Sequence, residues 1–232
     1  MTTFKIGRTS GGLLKIGYDG STLRIVSSSE GGGAFTPQAV LLTSGTSYSI
    51  PAGATTMKAW IVGGGGSTSI AWAGGCAYKT WSVSGASISY ALGVGATTQY
   101  NSATSSTATY SSITITGEHG TGVTAGGYSG GDGGANGGYG TAGNSGAVGG
   151  NSATLSACNR RPATDISGLF AALTLAGVST TETCGATAAF GSSGYVNKYS
   201  EAVTKTAGYG GRGGYDYYFT PGGNGALVLY FT

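Results

Sequence analysis

Glycine recurs at every third position from 131 to 149, at Gly131, Gly134, Gly137, Gly140, Gly143, Gly146 and Gly149, and this period limits what the chain can fold into more than any other feature. A left-handed extended helix of the polyproline II type has three residues per turn, so every third residue lines one edge. Glycine along that edge lets a neighbouring backbone come within hydrogen-bonding range. Such a helix has no internal hydrogen bonds, yet its buried N–H and C=O groups must be paired. A bundle of these helices, bonded side by side, meets both demands. Further glycines at 127, 130, 133, 138 and 150 open a second edge, and shorter pieces at 63–66, 74–75, 208–214 and 222–223 supply neighbours. At about 3.1 Å per residue the run would reach roughly 60 Å if straight, so reversals within it are expected.

Composition separates this bundle from other glycine-rich states. The chain has 48 glycines but only 4 prolines in 232 residues, which excludes collagen. Disordered chains carry many charges and few aromatics. Here charged residues make up 8% of the chain, against 15 Tyr, 6 Phe and 3 Trp. A formal charge of +3 is too weak for a nucleic-acid footprint, so no nucleic-acid partner is expected. No run of 18 apolar residues is present, and no membrane insertion is expected. The opening Met1-Thr2-Thr3-Phe4-Lys5 lacks the pattern of a secretory signal, which implies synthesis in a cytoplasm. Three cysteines, Cys76, Cys158 and Cys184, argue against a disulfide framework and read as small buried apolar residues. Pairing of Cys158 with Cys184 after release into an oxidising medium stays open.

Residues 1–30 contain an internal repeat: Phe4-Lys5-Ile6-Gly7, Leu14-Lys15-Ile16-Gly17 and Leu23-Arg24-Ile25-Val26. Each unit shows the period-2 alternation of a half-buried strand. So small a sheet is marginal alone, so this region is read as an attachment and oligomerisation segment. Residues 31–45 form a joint and a first strand, and 46–232 a glycine-rich distal domain with an insertion at 152–206. Strands are predicted at 39–42, 47–50, 57–62, 81–83, 88–94, 113–116 and 225–231, the last of them central in a sheet. Within the insertion, Asp165 to Leu173 carries a helical apolar stripe, with Thr164 or Asp165 as cap and Gly177 as terminator. The predicted fold is mainly β: β-sandwich-like strands combined with a polyglycine II helix bundle and at most one short α-helix.

The search for chemistry yields no catalytic set. His119 is the single histidine, too few for a ligand set, and no Cys-x-x-Cys accompanies it. Gly138-Tyr139-Gly140-Thr141-Ala142-Gly143 matches a dinucleotide fingerprint on paper, but no predicted strand and helix flank it. The carboxylates are scattered singly. Neither catalysis, metal nor cofactor is expected. The aromatic residues are more informative, because tyrosine offers rigid contact area with a polar tip. Tyr128, Tyr139, Tyr209 and Tyr215 stand beside glycines and are the candidate receptor-binding residues. The alternative role for each is a plate covering the flank of the bundle.

The segment Ile50-Pro51-Ala52-Gly53-Ala54-Thr55-Thr56-Met57-Lys58-Ala59-Trp60-Ile61-Val62-Gly63-Gly64-Gly65-Gly66 resembles the opening of glycine-rich domains in bacteriophage tail-fibre proteins. The close Gly222-Gly223-Asn224-Gly225-Ala226-Leu227-Val228-Leu229 is similar to their last strand. The triplet tract looks like that of receptor-binding tip adhesins of T-even-like phages, whose glycine motifs form polyglycine II sandwiches. This resemblance covers roughly 45–232. It implies a virion protein, made in the host cytoplasm, whose loops bind a bacterial surface protein or glycan. Residues 1–30 would join a neighbouring virion fibre protein, and a homotrimer is expected from the fibre setting. The 152–206 insertion and the N-terminal repeat depart from that pattern. Two other readings are a virion fibre or decoration protein with a purely structural role, and an ice-binding protein. The Thr and Ser clusters at 104–107 and 179–181 lack a regular ladder spacing, so ice binding ranks last.

Overall fold

Ala226-Leu227-Val228-Leu229-Tyr230-Phe231 has no polar alternation, the pattern of a strand covered on both faces. In the computed structural model it is an inner strand of one of two five-stranded sheets. The structure describes residues 14–18, 23–27, 35–67, 71–98, 103–137, 166–178, 195–196, 204–205, 207, 209–211, 213 and 221–232. The first strands in chain order are β1 (Leu14–Tyr18), β2 (Leu23–Ser27), β3 (Gln38–Leu42), β4 (Ser47–Ser49) and β5 (Thr56–Val62). Next come β6 (Cys76–Ser82), β7 (Ser87–Ala91), β8 (Ser106–Tyr110), β9 (Ile113–Gly117), β10 (Tyr128–Ser129) and β11 (Gly133–Ala135). Helix α1 (Leu169–Leu175) precedes β12 (Tyr195–Val196), β13 (Thr204–Lys205) and β14 (Ala226–Phe231).

The chain divides into two compact units, Met1–Thr36 and Pro37–Thr232. In the first, β1 and β2 pair antiparallel with Ile16 opposite Ile25; the repeat unit at 4–7 lies outside the described residues. In the second, the sheets run β11-β6-β5-β14-β3 and β10-β9-β8-β7-β4, while β12 and β13 pair with each other. Strand β3, assigned from sequence to the joint, hydrogen-bonds along β14 and belongs to the larger unit.

The two five-stranded sheets pack face to face. Met57, Ala59, Ile61, Leu227, Leu229 and Phe231 alternate along β5 and β14 and are fully buried. Ile88, Ala108 and Ile115 of the second sheet are also fully buried, and β5 packs on β8 and β9. Tyr48 stacks on Phe231 at 5.9 Å between centroids, and Trp81 meets Tyr110 edge-on at 6.1 Å. Each such side chain contributes about 1.5–3 kcal/mol on burial. The opposite face of the first sheet presents Trp60, Val62, Val228 and Ala226 to Leu169, Ala172 and Leu173 of α1. Helix, sheet and sheet form three layers.

Helix α1 starts four residues later than the apolar stripe suggests, and neither Thr164 nor Asp165 caps it. Ser167 (φ 53°) and Gly168 (φ 89°) are both left-handed, which a right-handed helix cannot contain, and Gly168 is the N-cap without a side-chain bond. Ile166 keeps its place in the core although it is not helical, because its carbonyl accepts a 2.7 Å hydrogen bond from Trp60 Nε1. The terminator is as expected: Gly177 has φ 73°, its N–H bonds Thr174 O, and the Val178 N–H bonds Leu173 O. That pair of bonds is a Schellman closure. Strand β8 was not expected, because its outward residues are Thr107 and Thr109 and its inward ones include only small Ala108 beside Tyr110. Within the triplet run, 133–135 is strand β11, paired with β6 at the sheet edge rather than held as an extended helix. Gly140, Gly143, Gly146 and Gly149 lie outside the described residues.

Candidate functional site

Antiparallel topology brings six strand ends together at one end of the sandwich. Extended backbone continues past each: 63–66 after β5, 72–75 before β6, 93–96 after β7, 103–105 before β8, 118–121 after β9 and 222–225 before β14. Segment 63–66 is the hub. Gly63, Gly64, Gly65 and Gly66 donate to the carbonyls of Gly75 (3.0 Å), Thr104 (3.0 Å), Gly223 (2.9 Å) and Trp72 (2.9 Å). The carbonyls of Gly64, Gly65 and Gly66 accept from Gly120 (2.9 Å), Ala96 (3.0 Å) and Gly213 (2.8 Å).

Six segments thus surround the hub, the sixth being the stretch with Gly210, Gly211 and Gly213, and they bond to one another in a closed ring. Gly75 donates to Glu118 O (2.8 Å), His119 N–H to Ser105 Oγ (3.2 Å), and Thr104 to Val94 O (2.9 Å). Gly225 donates to Gly93 O (2.8 Å), Gly223 to Gly211 O (2.8 Å), and Gly74 to Gly210 O (3.0 Å). A strand addresses only the two strands beside it, whereas successive N–H groups of 63–66 address different neighbours all round. Glycine is needed here for close approach: a Cβ on Gly65 would overlap the Gly211 carbonyl, and one on Gly222 would overlap the Gly65 carbonyl.

Among the described residues the stem ends in the turn that joins 121 to 126; residues 68–70, 99–102 and 214–220 lie outside the described residues. The turn after Thr121 is fully described. Thr121 Oγ1 accepts the N–H groups of Val123 (3.1 Å) and Thr124 (2.8 Å), and the Thr121 N–H donates to Thr124 O (3.0 Å). Trp72 N–H donates to Thr121 O at 3.0 Å, which ties the turn to the stem. Val123 stands out from it with 74% of its surface exposed. The sequence reading did not single out Val123; the hydroxyl-closed turn in Thr121-Gly122-Val123-Thr124 was the available signal.

Of the four candidate receptor-binding tyrosines, Tyr128 and Tyr209 lie among the described residues. Tyr128, 40% exposed, lies in β10 at the sandwich end of the stem, where its ring covers Gly134. Tyr209 is half-buried and packs on the cluster of Trp60, Val228 and Leu169. Tyr139 and Tyr215 lie outside the described residues, Tyr215 between Gly213 and Pro221. Of the expected glycine edge, Gly131 abuts the Tyr78 carbonyl, Gly134 the Cys76 carbonyl and Gly137 the Ala73 carbonyl, each too close to admit a Cβ.

The reactive groups are tied into structure. His119 Nδ1 lies 3.0 Å from Ser105 Oγ, the same oxygen that accepts the His119 backbone N–H, so the pair closes the stem's ring locally. Burial pushes the Cys76 thiol up to about 12, which holds it protonated and inert. Asp132 is held below the usual carboxylate range by the hydrogen bond from Lys79 (2.7 Å) and then by the Thr80 N–H (2.8 Å). Among the described residues no group of three or more His, Cys, Asp or Glu side chains is arranged to hold a metal ion. Comparison with protein-family models, with curated proteins and with solved structures finds no match to this chain.

Proposed function

We propose that this protein is the receptor-binding tip of a bacteriophage tail fibre, with the stem as a polyglycine II bundle and its far-end turns as the contact surface for a bacterial surface protein or glycan. The observation that carries this reading is the hub of 63–66 inside its ring of six bonded segments. Bonds directed all round the hub are what a backbone with three residues per turn requires. The hub 63–66 is glycine throughout, so it is held by backbone hydrogen bonds and not by side chains of its own. The stem serves as a rigid spacer that carries the 121–126 turn at its far end, and loops on a rigid scaffold are where binding concentrates. The test is adsorption of the purified protein to a panel of bacterial strains. Saturable binding to some strains and not others is expected; binding to none would leave a structural virion role.

The unit Met1–Thr36 is the mount. A two-stranded sheet is marginal alone, so β1 and β2 need a partner surface, which we assign to two further copies of the chain and a neighbouring fibre protein. Light scattering of the whole chain should then give the mass of three copies, and a chain beginning at Gly33 the mass of one. A monomeric whole chain would overturn this assignment.

A second reading, ice binding, draws on the outer face of the second sheet. Ser47, Ser89, Thr109 and Thr114 align in one row across β4, β7, β8 and β9. Thr107, Thr116 and Ser129 align in the next. Neighbours in each row stand on adjacent strands, about 4.7–4.9 Å apart. Thermal hysteresis in the purified protein would favour this reading, and its absence at millimolar protein would remove it.

A further inference from the structure

A cavity of about 370 Å³ opens between α1 and the outer face of the first sheet, within the range of ~300–1,000 Å³ that suits small ligands. Its walls are Trp60, Tyr230, Ala171 and Leu175, and its polar end is Lys58 with Ser167. Register accounts for the grouping: Tyr230 stands opposite Lys58 on neighbouring strands, and Trp60 follows two residues along the same face. The Lys58 ammonium donates to the Ser167 carbonyl at 2.6 Å and to Ser167 Oγ, and lies 5.4 Å from the ring centroids of both Trp60 and Tyr78. Ser167 holds a left-handed backbone, φ 53°, which a non-glycine residue adopts only when its surroundings impose it. The strained turn carries two oxygens to the ammonium and keeps the cavity's end in place.

An ammonium has three protons to donate, and Ser167 takes two. The carboxylate that influences this face, Asp132, is already engaged by Lys79 and by the Thr80 N–H. Among the described residues Lys58 has no carboxylate partner. One donor and one positive charge therefore remain at the head of an otherwise apolar recess, whose outer wall includes Leu175, 50% exposed.

We infer that this cavity binds an organic carboxylate with a compact apolar body, its oxygens on Lys58 and its body against Tyr230, Ala171 and Leu175. A charge-assisted hydrogen bond uses the free donor, and the body covers apolar surface now in water. Either a free small acid or the C-terminus of a peptide ending in an apolar residue has this chemistry. The site lies on the flank of the sandwich, so the inference does not rest on the receptor-binding reading.

The experiment titrates benzoate, benzamide, a tetrapeptide ending in leucine and its C-terminal amide into the whole chain, followed by amide resonances of Ala171 and Leu175. Benzoate should saturate at one per chain and benzamide should bind at least tenfold more weakly. Ala171→Trp, on the exposed side of α1, fills the recess and should abolish the shifts with an unchanged melting temperature. Lys58→Met should weaken benzoate at least tenfold, and Lys58→Arg should restore most of it. The free-acid peptide binding tighter than benzoate would identify a protein terminus as the source, and the reverse a small acid. Equal affinity for benzoate and benzamide, absence of saturation, or shifts that survive Ala171→Trp would each overturn the assignment.

Discussion

Gly65→Ala should lower stability by about 3 kcal/mol net: an overpacking cost of about 1–3 kcal/mol and about 1 kcal/mol for each of two hydrogen bonds that its added methyl pushes apart, less a small unfolded-state gain. Gly65 donates to Gly223, accepts from Ala96, and would bring a Cβ into the carbonyl of Gly211. Its φ is not left-handed, so the substitution carries no conformational penalty of its own. Alanine would even gain about 0.4–1 kcal/mol by restricting the unfolded chain, and the steric term outweighs that gain. In a domain of this size the loss is a fall of roughly 6–12 °C in melting temperature. Gly127→Ala is the matched control, because its Cβ would meet only the movable carboxylate end of Glu118. It should stay within about 1 kcal/mol of wild type, the bound for a substitution that a flexible neighbour absorbs. Calorimetry of the two variants decides the matter: indistinguishable melting temperatures would mean that the stem does not depend on close backbone approach.

The sandwich was readable where burial imposes a pattern, and the stem was readable as glycine but not as a centre. Leu227, Val228 and Leu229 have apolar neighbours on both faces, so an unbroken apolar run marked an inner strand. Alternation along 106–110 was masked because Thr107 and Thr109 face water while Ala108 contributes little to the apolar signal. The sequence does not mark the helix start, because Ile166, Leu169 and Leu173 satisfy helical spacing whether or not Ser167 and Gly168 are helical. Only the carbonyl bond from Trp60, made across 106 residues, shows why the chain turns there instead. The strict triplet at 131–149 drew attention to the wrong glycines for the hub, which is four residues long and has no period to detect. Segment 63–66 is central because β5 delivers it between the ends of six other segments, a fact of topology rather than of local sequence. Tyrosine beside glycine suggests exposure: Tyr128 is 40% exposed, whereas Tyr209 has the Trp60 cluster beside it in three dimensions.

Placement along the stem gives the sharpest functional test. Val123→Asp should reduce adsorption to a susceptible strain by about thirtyfold, the effect of losing one hot-spot contact of about 2 kcal/mol, while leaving the melting temperature unchanged. The side chain is 74% exposed and its turn is held by Thr121 Oγ1, so an aspartate there meets only water in the free protein. Bound against an apolar receptor surface, the same aspartate would be desolvated without a partner. Tyr209→Ala should behave in the opposite way. Its ring packs against the buried cluster that includes Trp60, Ala73 and Ala226, so truncation should cost about 2 kcal/mol of stability, below the 3–5 kcal/mol of a fully buried aromatic. Adsorption per folded molecule should not change, because the ring lies at the sandwich end of the stem. Measuring melting temperature and adsorption for both variants gives four values with a fixed pattern. If Tyr209→Ala abolished adsorption at full stability while Val123→Asp adsorbed normally, the contact surface would lie on the flank of the sandwich and the stem would be a spacer pointing elsewhere.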